Sequence, residues 1–296
     1  ATVQLPTPVP TPIASSGSPS STASPAVAEA ELVIRLVVCR DTCRATAGTT
    51  ILGDGRVIWE SPDDSGTVLQ SSLTSEGLAK VRAAIAARPE LDASGDYRPV
   101  LRPGATPIAH GVSSFRFEVG EAGAHILVTS WDPESLADQR DQWKIPPEMD
   151  ALGVLSGRLV DPLQWLGVAA FAGPPAQFSA NGFLVGIELF GGAGDAGDVP
   201  ADADDVDWPF GRPIETAGEP VAGVEGITTR CLRIDAEAAA DLRAAEKAAG
   251  ARRPAAAWFS TIAYDWHRAD GFVQVTVRQL LPHESGPCSD LLEPGF

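Results

Sequence analysis

The chain has 296 residues, of which 44% are hydrophobic and 21% are charged, and its formal net charge is −17. This composition is typical of a globular protein, and no apolar run reaches the roughly 18 residues that a membrane-spanning helix needs. A surface this acidic would repel nucleic acid and anionic lipid, which argues against both as partners.

The first thirty residues differ from the rest in composition. Residues 1–30 are rich in Pro, Ser and Thr and carry almost no charged or aromatic side chain. Such a segment cannot bury enough apolar area to offset the entropy of ordering, so we predict a disordered tether. Tethers of this type commonly follow a cleaved signal peptide or a lipid-bearing cysteine. We therefore expect an extracytoplasmic protein, secreted or held at the outer face of the cell membrane by an N-terminal lipid anchor, with an arbitrary segment boundary as the alternative.

Residues 31–135 read as a first α+β unit. An aliphatic run opens it, and Gly53-Asp54-Gly55 predicts a hairpin turn between the next two strands. Thr74 as N-cap and Glu76 in the first turn predict a helix. Alternating apolar and polar residues at positions 113–131 predict a second hairpin.

The second half repeats this order of elements. Residues 136–177 form a predicted connector with a short helical pattern, and residues 178–296 again contain a strand, a helix and a hairpin. Aligning Asp235 with Thr74 as helix caps brings the two helical patterns into register. We interpret this agreement as an internal duplication, with convergence of two unrelated units as the alternative. The predicted fold class is α+β, with two related strand–helix–hairpin halves, antiparallel sheets and a short helical connector.

Four cysteines fit an oxidising compartment and allow three pairings. We favour Cys39–Cys43 and Cys231–Cys288, because each bond then lies within one half of the chain. A metal or redox site at Cys39 and Cys43 is the alternative, but no histidine lies near them in the sequence.

Three short patterns also resemble a known group of proteins. These are the hairpin GDGRVI, the helix start LTSEGL and a cysteine shortly after the strand end LLPHE. They are similar to segments of uncharacterised bacterial exported or lipid-anchored α+β proteins. The resemblance covers both halves and implies no activity and no catalytic residue.

The acidic loop before the second helix is the candidate cation site. Its carboxylates could supply the oxygen ligands that calcium prefers. The spacing does not match an EF-hand, so we favour a solvated loop, predict no cofactor, and retain calcium as the candidate ion. The candidate metal ligands are Asp202, Asp204, Asp205 and Asp207.

A second candidate site lies in the last hairpin. Asp265 and His267 share one face of a predicted strand, where they could form an acid–base pair or half of a metal site. A solvated surface pair is the favoured interpretation. Trp266 and Trp208 lie near loops, where an aromatic platform could bind a sugar or a partner protein, but a core position is the favoured interpretation for each.

No nucleophile elbow, zinc-protease motif or phosphate-binding loop occurs in the sequence. We therefore expect a non-catalytic binding or structural protein of the cell envelope or of an extracellular assembly, with another envelope or extracellular protein as its partner. A hydrolase with an unfamiliar site near Asp265 and His267 is one alternative. A secreted inhibitor that presents the disulfide-bounded loop from Arg40 to Thr42 is another.

Overall fold

The computed structural model describes the chain from residue 31 onward, with gaps. The described ranges are 31–40, 42–62, 67–106, 113–121, 124–191, 207–221, 228–250, 259–264, 271–284 and 287–288. The predicted tether at residues 1–30 lies outside them.

Fifteen strands and four helices occur within these ranges. The strands are β1 Leu32–Arg40, β2 Thr42–Leu52, β3 Arg56–Glu60, β4 Val68–Ser72, β5 Gly95–Tyr97, β6 Val100–Leu101, β7 Ser114–Glu121, β8 Ala124–Trp131, β9 Trp143–Lys144, β10 Ala176–Gln177, β11 Gly182–Gly191, β12 Glu219–Val221, β13 Thr228–Asp235, β14 Phe259–Tyr264 and β15 Gly271–Gln279. The helices are α1 Ser75–Ala86, α2 Pro147–Val160, α3 Pro162–Leu166 and α4 Ala236–Ala248. The α+β fold class is therefore confirmed.

Two sheets organise the described chain. The first has eight strands in the order β10-β4-β3-β2-β1-β7-β8-β5, and the second has five in the order β12-β13-β11-β15-β14. Strands β6 and β9 form a separate pair. All pairings are antiparallel except that of β5 with β8, so hairpins and meanders build both sheets.

Local sequence signals fix the turns and helix starts as predicted. The backbone N–H of Arg56 donates to the Asp54 carboxylate inside the β2–β3 hairpin. Thr74 caps α1 by accepting a hydrogen bond from the N–H of Gly77, and Asp235 caps α4 by accepting from the N–H of Ala238. Each cap satisfies a donor that the first helical turn leaves without an intrahelical acceptor.

The two halves share their order of elements but not their strand pairing. In the first half β1 pairs with the first strand of the following hairpin, β7. In the second half β11 pairs with the second strand of its hairpin, β15. The common order alone supports a duplication, which stays a prediction.

Each sheet packs one face against helices. In the first sheet Ile34 and Leu36 belong to a core that also includes Val81 of α1 and Leu155 of α2. The connector helix α2 contacts β1, β2 and β8 of this first sheet. In the second sheet Val185, Ile187 and other apolar residues pack against Leu242 of α4.

The opposite faces of the two sheets lie towards each other. Ile58 and Val68 of the first sheet form a core cluster with Leu281, which follows β15, and β14 contacts β2. Since the helices cover the outer faces, the layers run helix, sheet, sheet, helix. Buried charged residues of both sheets, among them Arg35, Glu118 and Arg278, lie on the faces turned away from the helices.

Candidate functional site

Four buried charged side chains meet between the two sheets, and we refer to Arg35, Glu118, Arg278 and Glu284 as the inter-sheet charge cluster. The Nη1 atom of Arg278 lies 2.7 Å from Oε2 of Glu284. The Nη1 atom of Arg35 lies 3.5 Å from Oε1 of Glu284 and 3.5 Å from Oε2 of Glu118. Charges alternate along the cluster, and none of the four side chains is more than 9% exposed.

Strand register and a tight turn position these groups. Arg35 in β1 lies directly opposite Glu118 in β7, which places both side chains on the inner face of the first sheet. Glu284 lies in the turn after β15, where its carboxylate accepts a hydrogen bond of 2.8 Å from the N–H of Leu281. Arg233 donates to the carbonyl oxygen of Glu284 from β13. Hydrogen bonds from Leu281, Arg233 and Arg278 therefore fix the position of this turn.

The cluster keeps both of its carboxylates ionised. Burial alone would raise the pKa of Glu284, but Arg278 and Arg35, with hydrogen bonds from Arg278 and Leu281, lower it to about 2. Burial opposes ionisation of Glu118 too, and the positive charges of Arg35, Arg116 and His125 nevertheless lower its pKa. A carboxylate with a pKa far below neutrality is a poor proton carrier. We therefore interpret the cluster as a structural link between the sheets.

His283 lies beside this cluster in its neutral form. Burial is the main cause that lowers its pKa, and the positive charges of Arg35 and Arg278 add to the effect against the opposing charges of Glu284 and Glu118. Its Nδ1 atom is buried without a hydrogen-bond partner among the described residues.

These shifts predict that acid destabilises the fold in two stages. The unfolded chain protonates His283 as the pH falls through its ordinary value of 6.5, whereas the folded chain resists. Stability then falls again below the ordinary value of 4.5 for Glu118 and Glu284, since both pKa values are depressed in the folded state. The raised pKa of Asp132, which burial causes, opposes this second stage in part. Urea unfolding between pH 8 and 3 should show both stages.

The variant His283→Asn separates the two stages. It should flatten the dependence of stability on pH between 7 and 5 and leave the lower stage in place. An unchanged slope above pH 5 would contradict the assignment of the first stage to His283.

A groove lies at the rim of the second sheet. Its volume is about 710 Å³, against about 360 Å³ for a cavity beside α1. We call it the rim groove. It is lined by Phe210, Gly211, Arg212, Ala217, Gly218, Glu219, Cys231, Leu232, Arg233, Pro287 and Cys288.

Covalent and hydrogen bonds make the walls of the rim groove rigid. The predicted disulfide Cys231–Cys288 is present and joins β13 to the C-terminal tail. The guanidinium of Arg230 donates to the carbonyl oxygens of Thr216, Ala217 and Gly218. Gly218 has φ +70°, and a Cβ atom there would collide with the carbonyl oxygen of Cys231, so the wall needs glycine at this position.

The aromatic candidate Trp208 contacts Phe210, which lines the groove. Its ring meets that of Phe210 edge-to-face at 4.9 Å between centroids, and both residues pack against the core of the second sheet. Trp208 is half-buried, while Phe210 lines the groove. Trp208 therefore packs against the core of the second sheet, and the aromatic platform stays a prediction; Phe210 is the member of the pair that lines the groove.

Several predicted site residues fall outside what the structure describes. Asp265, Trp266 and His267 lie in the gap between β14 and β15, and Asp202, Asp204 and Asp205 lie in the gap before residue 207. Asp207 is described and exposed. Cys39 is disulfide-bonded, but the side chain of its predicted partner Cys43 lies outside the described set. Of the loop from Arg40 to Thr42, Asp41 and the side chains of its two neighbours also lie outside that set. Among the described residues no group of three or more His, Cys, Asp or Glu side chains could hold a metal ion.

Sequence reasoning missed the inter-sheet charge cluster, although a signal was present. Arg35 interrupts an aliphatic run in ELVIRLVV, and Glu118 lies between two apolar residues in RFEVG. Charged residues at alternate positions are, however, equally typical of a strand with one face exposed to solvent. Only the second sheet, packed onto that face, shows that these charges are buried.

No protein-family model and no curated protein matches the chain. Within the described ranges, no helix is both long and apolar enough to cross a membrane.

Proposed function

We propose that the chain is a non-catalytic, extracytoplasmic binding protein of the cell envelope or of an extracellular assembly, and that the rim groove binds its partner. The observation that carries the proposal is the groove itself, a cavity of about 710 Å³ with preformed walls. Ligand sites are typically concave, largely preformed and lined by apolar groups with a few polar ones. Phe210, Ala217, Leu232 and Pro287 supply the apolar part here.

The chemistry of the lining favours binding over catalysis. Among the described lining residues Glu219 is the single carboxylate, and the polar side chains beside it are Arg212 and Arg233. General acid–base or nucleophilic catalysis needs a titratable pair within hydrogen-bond reach. The groove instead supplies charged side chains and a concave surface that could bind a partner.

The buried disulfide supports the proposed location. Cys231 is fully buried and Cys288 is 4% exposed, and a structural disulfide of this kind persists in oxidising compartments outside the cytoplasm. The proposed partner is accordingly another envelope or extracellular protein.

Filling the groove tests the proposal. A side chain at Gly211 would meet no atom within 4 Å at its Cβ position, so Gly211→Trp should fold and obstruct the cavity. Gly173→Trp is the matched control, because Gly173 is equally open and lies beside β4 of the first sheet, where its carbonyl oxygen accepts a hydrogen bond from Ser71. Chemical crosslinking and capture from the envelope and secreted fractions of the producing cells should recover a stoichiometric partner with the wild type and with Gly173→Trp. Gly211→Trp should lose about tenfold or more of that capture.

Equal capture by all three proteins, or no stoichiometric partner for the wild type, would contradict the proposal. Circular dichroism and the unfolding midpoint of each variant establish that a loss of capture does not come from misfolding.

A further inference from the structure

We propose that the turn at residues 281–284 is an acid-operated latch, which leaves the first sheet when His283 takes up a proton while both sheets stay folded. The latch is independent of the rim groove. Three features of the described residues carry the proposal: how the turn is anchored, what it contacts in the first sheet, and what surrounds the imidazole ring.

The turn is built locally and is anchored to the second sheet. The N–H of Leu281 donates to the Glu284 carboxylate at 2.8 Å, and the N–H of Glu284 donates to the carbonyl oxygen of Leu281 at 3.0 Å. Pro282 occupies the second position of the turn, where its fixed φ favours a β-turn. The preceding residue, Leu280, donates to the carbonyl oxygen of Gly182 in β11. This anchor does not involve the first sheet.

Side chains make the described contacts between the turn and the first sheet. Leu281, 3% exposed, packs with Ile58 and Val68 in one core cluster. The Oε1 atom of Glu284 lies 3.5 Å from Nη1 of Arg35 in β1. Each sheet, in contrast, is held together by backbone pairing of its strands. The contacts of the turn can therefore open without unfolding either sheet.

The surroundings of His283 disfavour the protonated imidazole. Its Nδ1 atom is buried and has no hydrogen-bond partner among the described residues. Both ring nitrogens are donors in the protonated form, so protonation would leave a buried N–H of a charged ring without an acceptor. The charged side chains that face the ring come from β1, β7, β15 and the turn itself, and they are Arg35, Glu118, Arg278 and Glu284.

Both carboxylates that face the ring already have basic partners. Glu284 lies 2.7 Å from Arg278. Glu118 lies 3.5 to 3.9 Å from basic groups on three strands, which are Arg35, Arg116 and His125. In the closed turn, burial lowers the pKa of His283, and the positive charges of Arg35 and Arg278 outweigh what the carboxylates restore. A released turn returns the ring to water and its pKa to the ordinary value of 6.5.

Acid therefore shifts the turn towards the released state. Below pH 6.5 the released turn binds a proton that the closed turn does not. The opening constant should rise about tenfold for each pH unit, until the pH reaches the lowered pKa of the closed turn. Release withdraws Leu281 from Ile58 and Val68 and uncovers apolar surface of the first sheet.

Native-state hydrogen exchange on the full chain measures the opening. The N–H of Leu281 is buried with the closed turn, whereas a single turn released into water protects its amides little. Its opening constant should exceed that of Val185 in β11, which lies between β13 and β15. It should also depend little on urea, since a local opening exposes little surface. Between pH 7.5 and 5.5 it should rise about tenfold.

Substitution of histidines identifies the group that takes up the proton. His283→Asn and His283→Gln replace the ring by two different neutral shapes, and both should abolish the rise between pH 7.5 and 5.5, whatever their effect on overall stability. His125→Asn is the matched control, because the side chain of His125 is 63% exposed and lies 3.9 Å from Glu118. This variant should keep the rise.

Two results would overturn the latch. If Leu281 and Val185 share one opening constant and one urea dependence in the wild type, the turn opens through global unfolding alone. This wild-type comparison decides the point even where a His283 variant does not fold. If the rise persists in His283→Asn and His283→Gln, another group drives the release.

Discussion

Replacing Glu284 by glutamine should cost about 3–5 kcal/mol of unfolding free energy, the largest loss expected for a single substitution at the described charges. The neutral side chain keeps the shape of the residue but leaves Arg278, 2% exposed, without the carboxylate 2.7 Å away. Arg35 would then have Glu118 as the remaining carboxylate of the inter-sheet charge cluster. Urea unfolding at pH 7, followed by tryptophan fluorescence, measures the loss.

The depressed pKa of Glu284 gives an independent measure of how much this carboxylate stabilises the fold. A shift from 4.5 to about 2 corresponds to roughly 3 kcal/mol of stabilisation at neutral pH, and this contribution disappears as the pH falls from the higher value to the lower one. Glu284→Gln should therefore also remove much of the acid sensitivity below pH 4.5.

A surface ion pair provides the control for this experiment. Asp150 lies 3.8 Å from Arg140, and both side chains are more than half exposed. Because solvent screens such pairs, Asp150→Asn should change the unfolding free energy by less than about 1 kcal/mol. If Glu284→Gln costs no more than Asp150→Asn, the cluster does not hold the sheets together.

Removing the Cys231–Cys288 disulfide should cost about 4 kcal/mol. The bond closes a loop with a sequence separation of 57, and in the chain-entropy model a loop of this length restricts the unfolded chain by about that amount. The double variant Cys231→Ala/Cys288→Ala measures the effect in urea without a reductant. Since both positions are buried, the small cavities left by the sulfur atoms add to the loss.

Reductant supplies the control for the disulfide. Dithiothreitol should destabilise the wild type strongly and the double variant much less, because the bond to Cys39 is what remains to be reduced. An equal effect on both proteins would show that the bond between β13 and the tail contributes little.

The losses of unfolding free energy caused by Glu284→Gln and by removal of the Cys231–Cys288 disulfide should not be additive. Cys288 follows Glu284 by four residues in the C-terminal tail, and Arg233 on β13 hydrogen-bonds to the backbone of Glu284. Loss of the disulfide should loosen the tail and weaken the contacts of Glu284, so Glu284→Gln should cost less in the disulfide-free background.

Local chemistry made much of the fold predictable from the sequence. The sequence predicts Thr74 and Asp235 as helix caps, and Gly53 to Gly55 as a hairpin turn, because each acts on residues within one or two turns of chain. The predicted pairing of Cys231 with Cys288, which lie in the same half of the chain, is confirmed.

Long-range pairing was not predictable in the same way. Nothing local in β11 indicates that its neighbour is the second strand of the hairpin and not the first. Arg35 and Arg278 look like solvated positions of alternating strands, and their burial depends on a sheet contributed by distant sequence. The rim groove likewise depends on where β12 begins relative to β13, a register that side-chain patterns three residues long cannot specify.

The return of the C-terminal tail to the middle of the molecule has a consequence for the order of folding. Arg35 and Glu118 lie in strands that a ribosome completes early, while Glu284 lies near the other end of the chain. The first sheet can pair its strands and cover its outer face with α1 and α2, but its inner face, with Ile58 and Val68, waits for the later chain. A chain whose first sheet forms before the C-terminal tail arrives exposes this apolar face, and that intermediate is the form a chaperone would bind.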